Sequence, residues 1–134
     1  VITVENNVGR LIEVRQTGRI TMEDIRQSGP IFGRILAGIR GKVVMCTDWR
    51  GMRVLAPDVA SSLRAIIRAD NDRVERQAVL LDPSAIIGIQ LERLLREGGN
   101  MDRAAFESVG TMEQWLAPSL TPAEQAQARK FLGG

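Results

Sequence analysis

Asp48-Trp49-Arg50-Gly51 is the stretch of this chain whose residue types best suit chemistry. A carboxylate, an indole and a guanidinium stand in consecutive positions. Arg50 can fork onto a carboxylate or phosphate, and Trp49 supplies apolar area. Asp58 follows in the next segment, and Asp82 and Ser84 close a second apolar run. These six residues are the candidates for a partner- or ligand-binding edge. The competing reading packs Trp49 beneath a loop and pairs Asp48 and Arg50 with nearby backbone.

Elsewhere the chemistry is sparse. Histidine is absent, which removes the commonest general base and metal ligand at neutral pH. Cys46 stands alone inside an apolar run, whereas a reactive thiol needs an exposed, electropositive setting. A zinc site would need several Cys or His ligands. Gly29, Gly33 and Gly38 fall within a helical pattern and do not form a phosphate-cradling loop. We therefore expect no catalytic residue, no metal, no cofactor and no enzymatic activity. Arg73, Arg76, Arg93 and Arg103 could converge on an anion, although solvated faces and ordinary ion pairs account for them as well. Aromatic residues make up 4% of the chain, the formal net charge is +2 and the arginines are spread out. That argues against nucleic acid, whose binders carry a basic stripe with stacking aromatics. No apolar run approaches the ~20 residues needed to span a bilayer, and no signal peptide is read. A lone cysteine suits the cytoplasm.

The elements that must position Asp48 follow from hydrophobic period. Val43-Val44-Met45-Cys46-Thr47 is an unbroken apolar run rich in β-branched residues, ended by Asp48. It reads as a strand buried on both faces, the centre of an open sheet. Before it, Ile2-Thr3-Val4 and Leu11 to Arg15 read as an antiparallel hairpin turning at Asn6-Asn7. Thr21 with Asp24 opens a helix whose inner face carries Met22, Ile25, Phe32, Ile35, Leu36 and Ile39. Gly29-Pro30 predicts a kink or split in that helix, which ends at Gly41. After a loop from Trp49 to Leu55, Pro57 and Asp58 suit the first turn of a second helix. Its stripe is Val59, Leu63, Ile66 and Ile67, closed at Asp70-Asn71.

Val74 to Leu81 is the next strand. Asp82-Pro83-Ser84 starts a helix with Ile87, Leu91, Leu94 and Leu95 inward, ending at Gly98-Gly99-Asn100. Arg103 to Glu107 is a weak last strand. Thr111 is expected to cap a short helix carrying Trp115 and Leu116, and Thr121-Pro122-Ala123-Glu124 is a capping box opening a terminal helix to Leu132. At 134 residues, with 44% hydrophobic and 25% charged content, the chain suits one domain. The expected fold is α/β, an open mixed sheet of four to five strands with an N-terminal antiparallel hairpin, a mostly parallel interior and flanking helices. Its core spans about residues 1–116, with the terminal helix at about 121–132.

This order, with Val44-Met45-Cys46-Thr47-Asp48 ending the central strand and a loop leading to Pro57, resembles a STAS domain, the family of the anti-sigma-factor antagonists. The later half is similar to small bacterial STAS-like proteins through Asp70-Asn71-Asp72-Arg73-Val74-Glu75-Arg76, Gln90-Leu91-Glu92-Arg93, Asn100-Met101-Asp102-Arg103 before Phe106, and Trp115-Leu116. The similarity covers roughly Val8 to Leu116. It implies a non-enzymatic regulatory module that binds a protein partner. In the antagonist branch a phosphorylatable serine lies where the central-strand loop enters the next helix. That position falls here on Ala56-Pro57-Asp58, without a hydroxyl, so a phosphorylation switch is not expected.

Two readings of function stand at this point. One is the STAS-like interaction module, with a homodimer expected through the hairpin edge or the terminal helix. The alternative is a small-ligand or lipid carrier, because CRAL-TRIO-type domains share a broadly similar layout. A closed, well-filled core favours the first, and a large apolar cavity beneath the kinked first helix favours the second.

Overall fold

A computed structural model of the chain describes residues 1–83, 85–100 and 102–133. Ser84 and Met101, both singled out in the sequence, lie outside the described residues. Five strands run β1 (Ile2–Val8), β2 (Leu11–Gln16), β3 (Val43–Asp48), β4 (Val74–Leu80) and β5 (Arg103–Phe106). Between and after them lie α1 (Met22–Ala37), α2 (Pro57–Asp70), α3 (Ala85–Gly98), α4 (Val109–Leu116) and α5 (Pro122–Gly133). The sheet order is β1-β2-β3-β4-β5, with β1 antiparallel to β2 and every other pair parallel. β3 is central, and Val44 and Cys46 have no exposed surface.

A sheet whose parallel strands follow one another in sequence, joined by right-handed crossovers, must carry all its crossover helices on one face. α1, α2 and α3 accordingly share a face, and α4 and α5 cover the other. The α4/α5 face holds one continuous core, in which Leu11, Val44, Cys46, Ala78 and Leu80 meet Met112, Leu116, Ala128 and Leu132. The opposite face holds two. One lies under α1, around Ile12, Val14, Val43 and Met45, and the other lies under α2 and α3, around Val59, Val79, Leu91 and Leu94. No helix among the described residues is long and apolar enough to cross a membrane.

Four local expectations need correction. The hairpin turns at Gly9-Arg10, not Asn6-Asn7. Gly9 has φ +55°, and a Cβ there would run into the Glu124 carboxylate, so the tight turn strongly favours glycine. Asn6 and Asn7 instead serve the hairpin with their side chains: Asn6 Nδ2 donates to the carbonyls of Gly9 and Leu11, and Asn7 Nδ2 donates to Glu5 and Glu13.

α1 is continuous through Pro30 and ends at Ala37, with Gly38 as its C-cap. Pro30 is exposed, so the Arg26 carbonyl it leaves unbonded, one turn back on the same side, faces water. Ser108, not Thr111, caps α4; its Oγ accepts from the Thr111 N–H at 3.4 Å. The box at Thr21 and Asp24 closes as expected, and so does the one at Thr121 and Glu124. Within α2, Ile66 is 38% exposed, more than its neighbours in the expected stripe, because it lines an open space between α1 and α2.

Candidate functional site

Asp48 ends β3 on the α5 side of the sheet and is almost completely enclosed. Its carboxylate accepts from Arg15 Nε at 3.1 Å and, at 3.0 Å each, from the Arg50 backbone N–H, Nε and Nη2. Burial alone would raise its pKa; the Arg50 bonds, with Arg15 behind them, hold it below the usual carboxylate range. Both arginines reach onward to the end of α5, where Arg15 Nη2 donates to the Phe131 carbonyl and Arg50 Nη2 to the Leu132 carbonyl, each at 2.7 Å. Those are carbonyls that a helix C-terminus leaves without partners. Arg15 also lies over the Phe131 ring, 4.4 Å from its centroid. Asp82 joins the same rim by accepting from the Gly51 N–H at 2.6 Å. Trp49 points the other way, buried against the α2/α3 core, and Asp58 is exposed at the start of α2. The structure thus brings Asp48, Arg50 and Asp82 together and leaves Trp49 and Asp58 apart from them.

The arginine set does not converge. Arg73 donates to the carbonyls of Leu36, Ile39 and Gly41 and so closes the end of α1. Arg76 lies over the Trp115 ring and donates to its carbonyl. Arg93 is exposed on α3. Arg103 is buried and pairs with Asp70. The Cys46 thiol is pushed up to about 12, by burial first and then by the neighbouring carboxylates Glu13, Asp48 and Glu113, which leaves it without thiolate character at neutral pH.

The two cores on the α1–α3 face are parted by a cleft of about 120 Å³. α1 leans out over β1 and contributes Ile25, Ser28, Gly29 and Phe32 to one wall, while α2 and α3 contribute Leu63, Ile66, Ile67, Leu91 and Leu94 to the other. α1 has no fully buried residue along its whole length. The floor is the sheet, and it carries a polar string across three strands. Arg103 on β5 donates from Nη1 to Gln77 Oε1 on β4, and Gln77 Nε2 donates to Thr47 Oγ1 on β3 at 3.0 Å. Alongside, the Trp49 indole N–H donates to Gln16 Oε1. Arg103 Nη2 also reaches Asp70, Asn71 Oδ1 and the Ile67 carbonyl. Even so, burial outweighs the Arg103 charge and raises the Asp70 pKa.

No protein-family model and no curated protein matches this chain. Among solved structures, an uncharacterised protein of the DUF3478 family with a SpoIIAA-like fold, from Shewanella loihica PV-4, superposes with a TM-score of 0.67. The match covers 87% of this chain and 92% of that one at 19% identity. The fold is SpoIIAA-like. It is the STAS-like architecture that the strand order implied, with a mixed sheet and an antiparallel N-terminal hairpin. In this SpoIIAA-like chain the connection from β3 into α2 contains no Ser, Thr or Tyr between Asp48 and Asp58.

Sequence reasoning passed over Gln16, Thr47 and Gln77, and named Arg103 only as one of an arginine set that does not converge. A signal was present in the strand period. Gln77 is in phase with Val79 and Leu81, and Thr47 with Met45, so both are polar groups at inward positions. A polar side chain in the inward phase of a buried strand needs a partner or a cavity, and here the two occur together.

Proposed function

We propose that this chain is a non-enzymatic, STAS-like regulatory module that holds a small apolar molecule in the cleft under α1, and that its contacts with a protein partner respond to that ligand. The observation that carries this reading is the cleft itself. Tight packing is the rule for protein interiors, yet here one face of the sheet splits its core around an open, apolar-walled space. The helix forming one wall is nowhere fully buried, so it can shift to admit a ligand at little loss of packing.

The rest of the chemistry is in keeping with binding alone. Asp48 has its acceptors filled and anchors α5, and the only thiol is buried with its pKa raised. A lone buried cysteine suits a reducing cytoplasm. Phosphate control is not part of this reading: Ser61 lies in the second turn of α2, beyond the strongest field of the helix N-terminus, and Asp58 already supplies negative charge there.

The test is a titration of the full chain with toluene, read by ligand-observed NMR, on the native protein and on Ser28→Phe, which places a ring in the cleft. Saturable one-to-one binding to the native chain, lost in a variant whose melting temperature is unchanged, is the expected result. Absence of saturable binding, or equal binding by the variant, would remove the cleft from the account.

A further inference from the structure

Resting on the cleft as a ligand site, we propose that its ligand is an uncharged molecule of about one ring in size, presenting a hydrogen-bond-accepting oxygen to Gln16 and Thr47. Size comes first. At about 120 Å³ the space is close to the roughly 150 Å³ of an apolar protein cavity that holds benzene. A long acyl chain would have to leave most of its length outside.

Charge is decided by Arg103, the cation on the floor. Its Nη groups are engaged by Gln77, Asp70, Asn71 and the Ile67 carbonyl. Its Nε has no partner among the described residues but also has no accessible surface, so a ligand in the cleft does not reach it. Asp70 and Arg103 neutralise each other. An entering carboxylate would surrender its hydration beside Asp70 without gaining a free cation, and an entering ammonium would find the one carboxylate already paired. Either ion is disfavoured where desolvation is not repaid.

Polarity is decided by what the floor leaves unused. Gln16 is 7% exposed and lines the cleft. Its Oε1 is taken by the Trp49 indole N–H, while its Nε2 donates to no group among the described residues. Thr47, 2% exposed and also lining the cleft, accepts from Gln77 through Oγ1. The hydroxyl proton of Thr47 has no acceptor among the described residues. Both surplus groups are donors. Buried donors in native proteins find acceptors, and the complement to this pair is a carbonyl or ether oxygen: a ketone, aldehyde, ester or lactone on a compact apolar body.

The experiment compares cumene, acetophenone and benzoate, which share one branched skeleton on a ring, for binding to the full chain by calorimetry at neutral pH. Acetophenone is expected to bind about tenfold more tightly than cumene, the range for one or two neutral hydrogen bonds, with benzoate weakest. Thr47→Val and Gln16→Leu should each shrink the acetophenone-to-cumene ratio by threefold or more while leaving cumene binding in place. The ranking on the native chain decides the proposal whether or not those variants fold. Benzoate binding tightest overturns it. Equal affinity for cumene and acetophenone also overturns it, while leaving the cleft as a ligand site intact. Failure of all three probes overturns both readings.

Discussion

Replacing Asp48 by Asn is the substitution whose consequence can be worked most fully from the structure. The carboxylate is 5% exposed, whereas the side chains it holds, Arg15 and Arg50, are 35% and 37% exposed. Removing one partner of a buried pair costs about 3–5 kcal/mol when the other charge is left stranded in the interior. Neither arginine would be stranded, since each can turn its head toward water, and an exposed pair contributes about 0–1 kcal/mol. The buried end sets most of the loss, because an Asn amide turns a donor toward groups that are themselves donors. We expect about 2 kcal/mol of destabilisation, with part of it arising as Phe131 and Leu132 lose their carbonyl partners. For a domain of this size that is a fall in melting temperature of about 8 °C. Urea unfolding followed by far-ultraviolet circular dichroism measures it, and amide exchange along 128–133 shows whether α5 frays. A loss below about 0.5 kcal/mol with unchanged exchange in α5 would refute the assignment of Asp48 as the anchor of the terminal helix.

Gly9→Ala should destabilise the chain by about 1–3 kcal/mol, because it forces a positive φ and a clash with Glu124; a melt with no shift would mean the turn adapts freely. Cys46 should resist a disulfide-exchange reagent in the folded chain and react only at the rate of unfolding, given a thiol pushed up to about 12. Acid should destabilise the fold. Asp48 and Glu124 titrate lower when folded than when unfolded, so their contribution is complete above the ordinary carboxylate range and is lost as pH falls from there through their lowered folded values. Asp70 runs the other way, its pKa raised by burial against the attraction of Arg103, so it binds its proton first in the folded chain and softens the acid limb. Asp70→Asn should steepen that limb and Asp48→Asn should flatten it, both read from unfolding free energies between pH 3 and pH 7.

The fold was largely legible because its determinants are local. Val43 to Asp48 announces a strand buried on both faces, and the stripe Ile87, Leu91, Leu94 and Leu95 announces a helix; all four stripe residues are buried. The paired caps at Thr21/Asp24 and Thr121/Glu124 depend on residues three apart, so spacing suffices to find them. The hairpin turn was missed because Asn6-Asn7 has turn composition, while the conformation needed was the positive φ that Gly9 supplies next to Glu124, a residue far away in sequence. The helix does not split at Pro30 because exposure lets water replace a missing bond, and exposure is a tertiary property. The cleft was not legible as a space. It depends on α1 leaning over β1, which hydrophobic period does not encode. Its polar floor was written into the strands at Thr47 and Gln77, and reading strand phase for polar intruders as well as for apolar runs would have found it. The arginines show the same limit, since composition reports their number, whereas their work at the ends of α1 and α5 depends on where distant carbonyls lie.

The central claim is that the space between α1 and α2 takes up a small apolar ligand, and a heavy-atom ring locates it most directly. Crystals of the chain soaked with bromobenzene should show a bromine anomalous peak enclosed by Phe32, Leu63, Thr47 and Gln16, with α1 in place over it. Bromine found only on the protein surface, with the cleft closed by inward movement of α1 onto Met45 and Val79, would contradict the account.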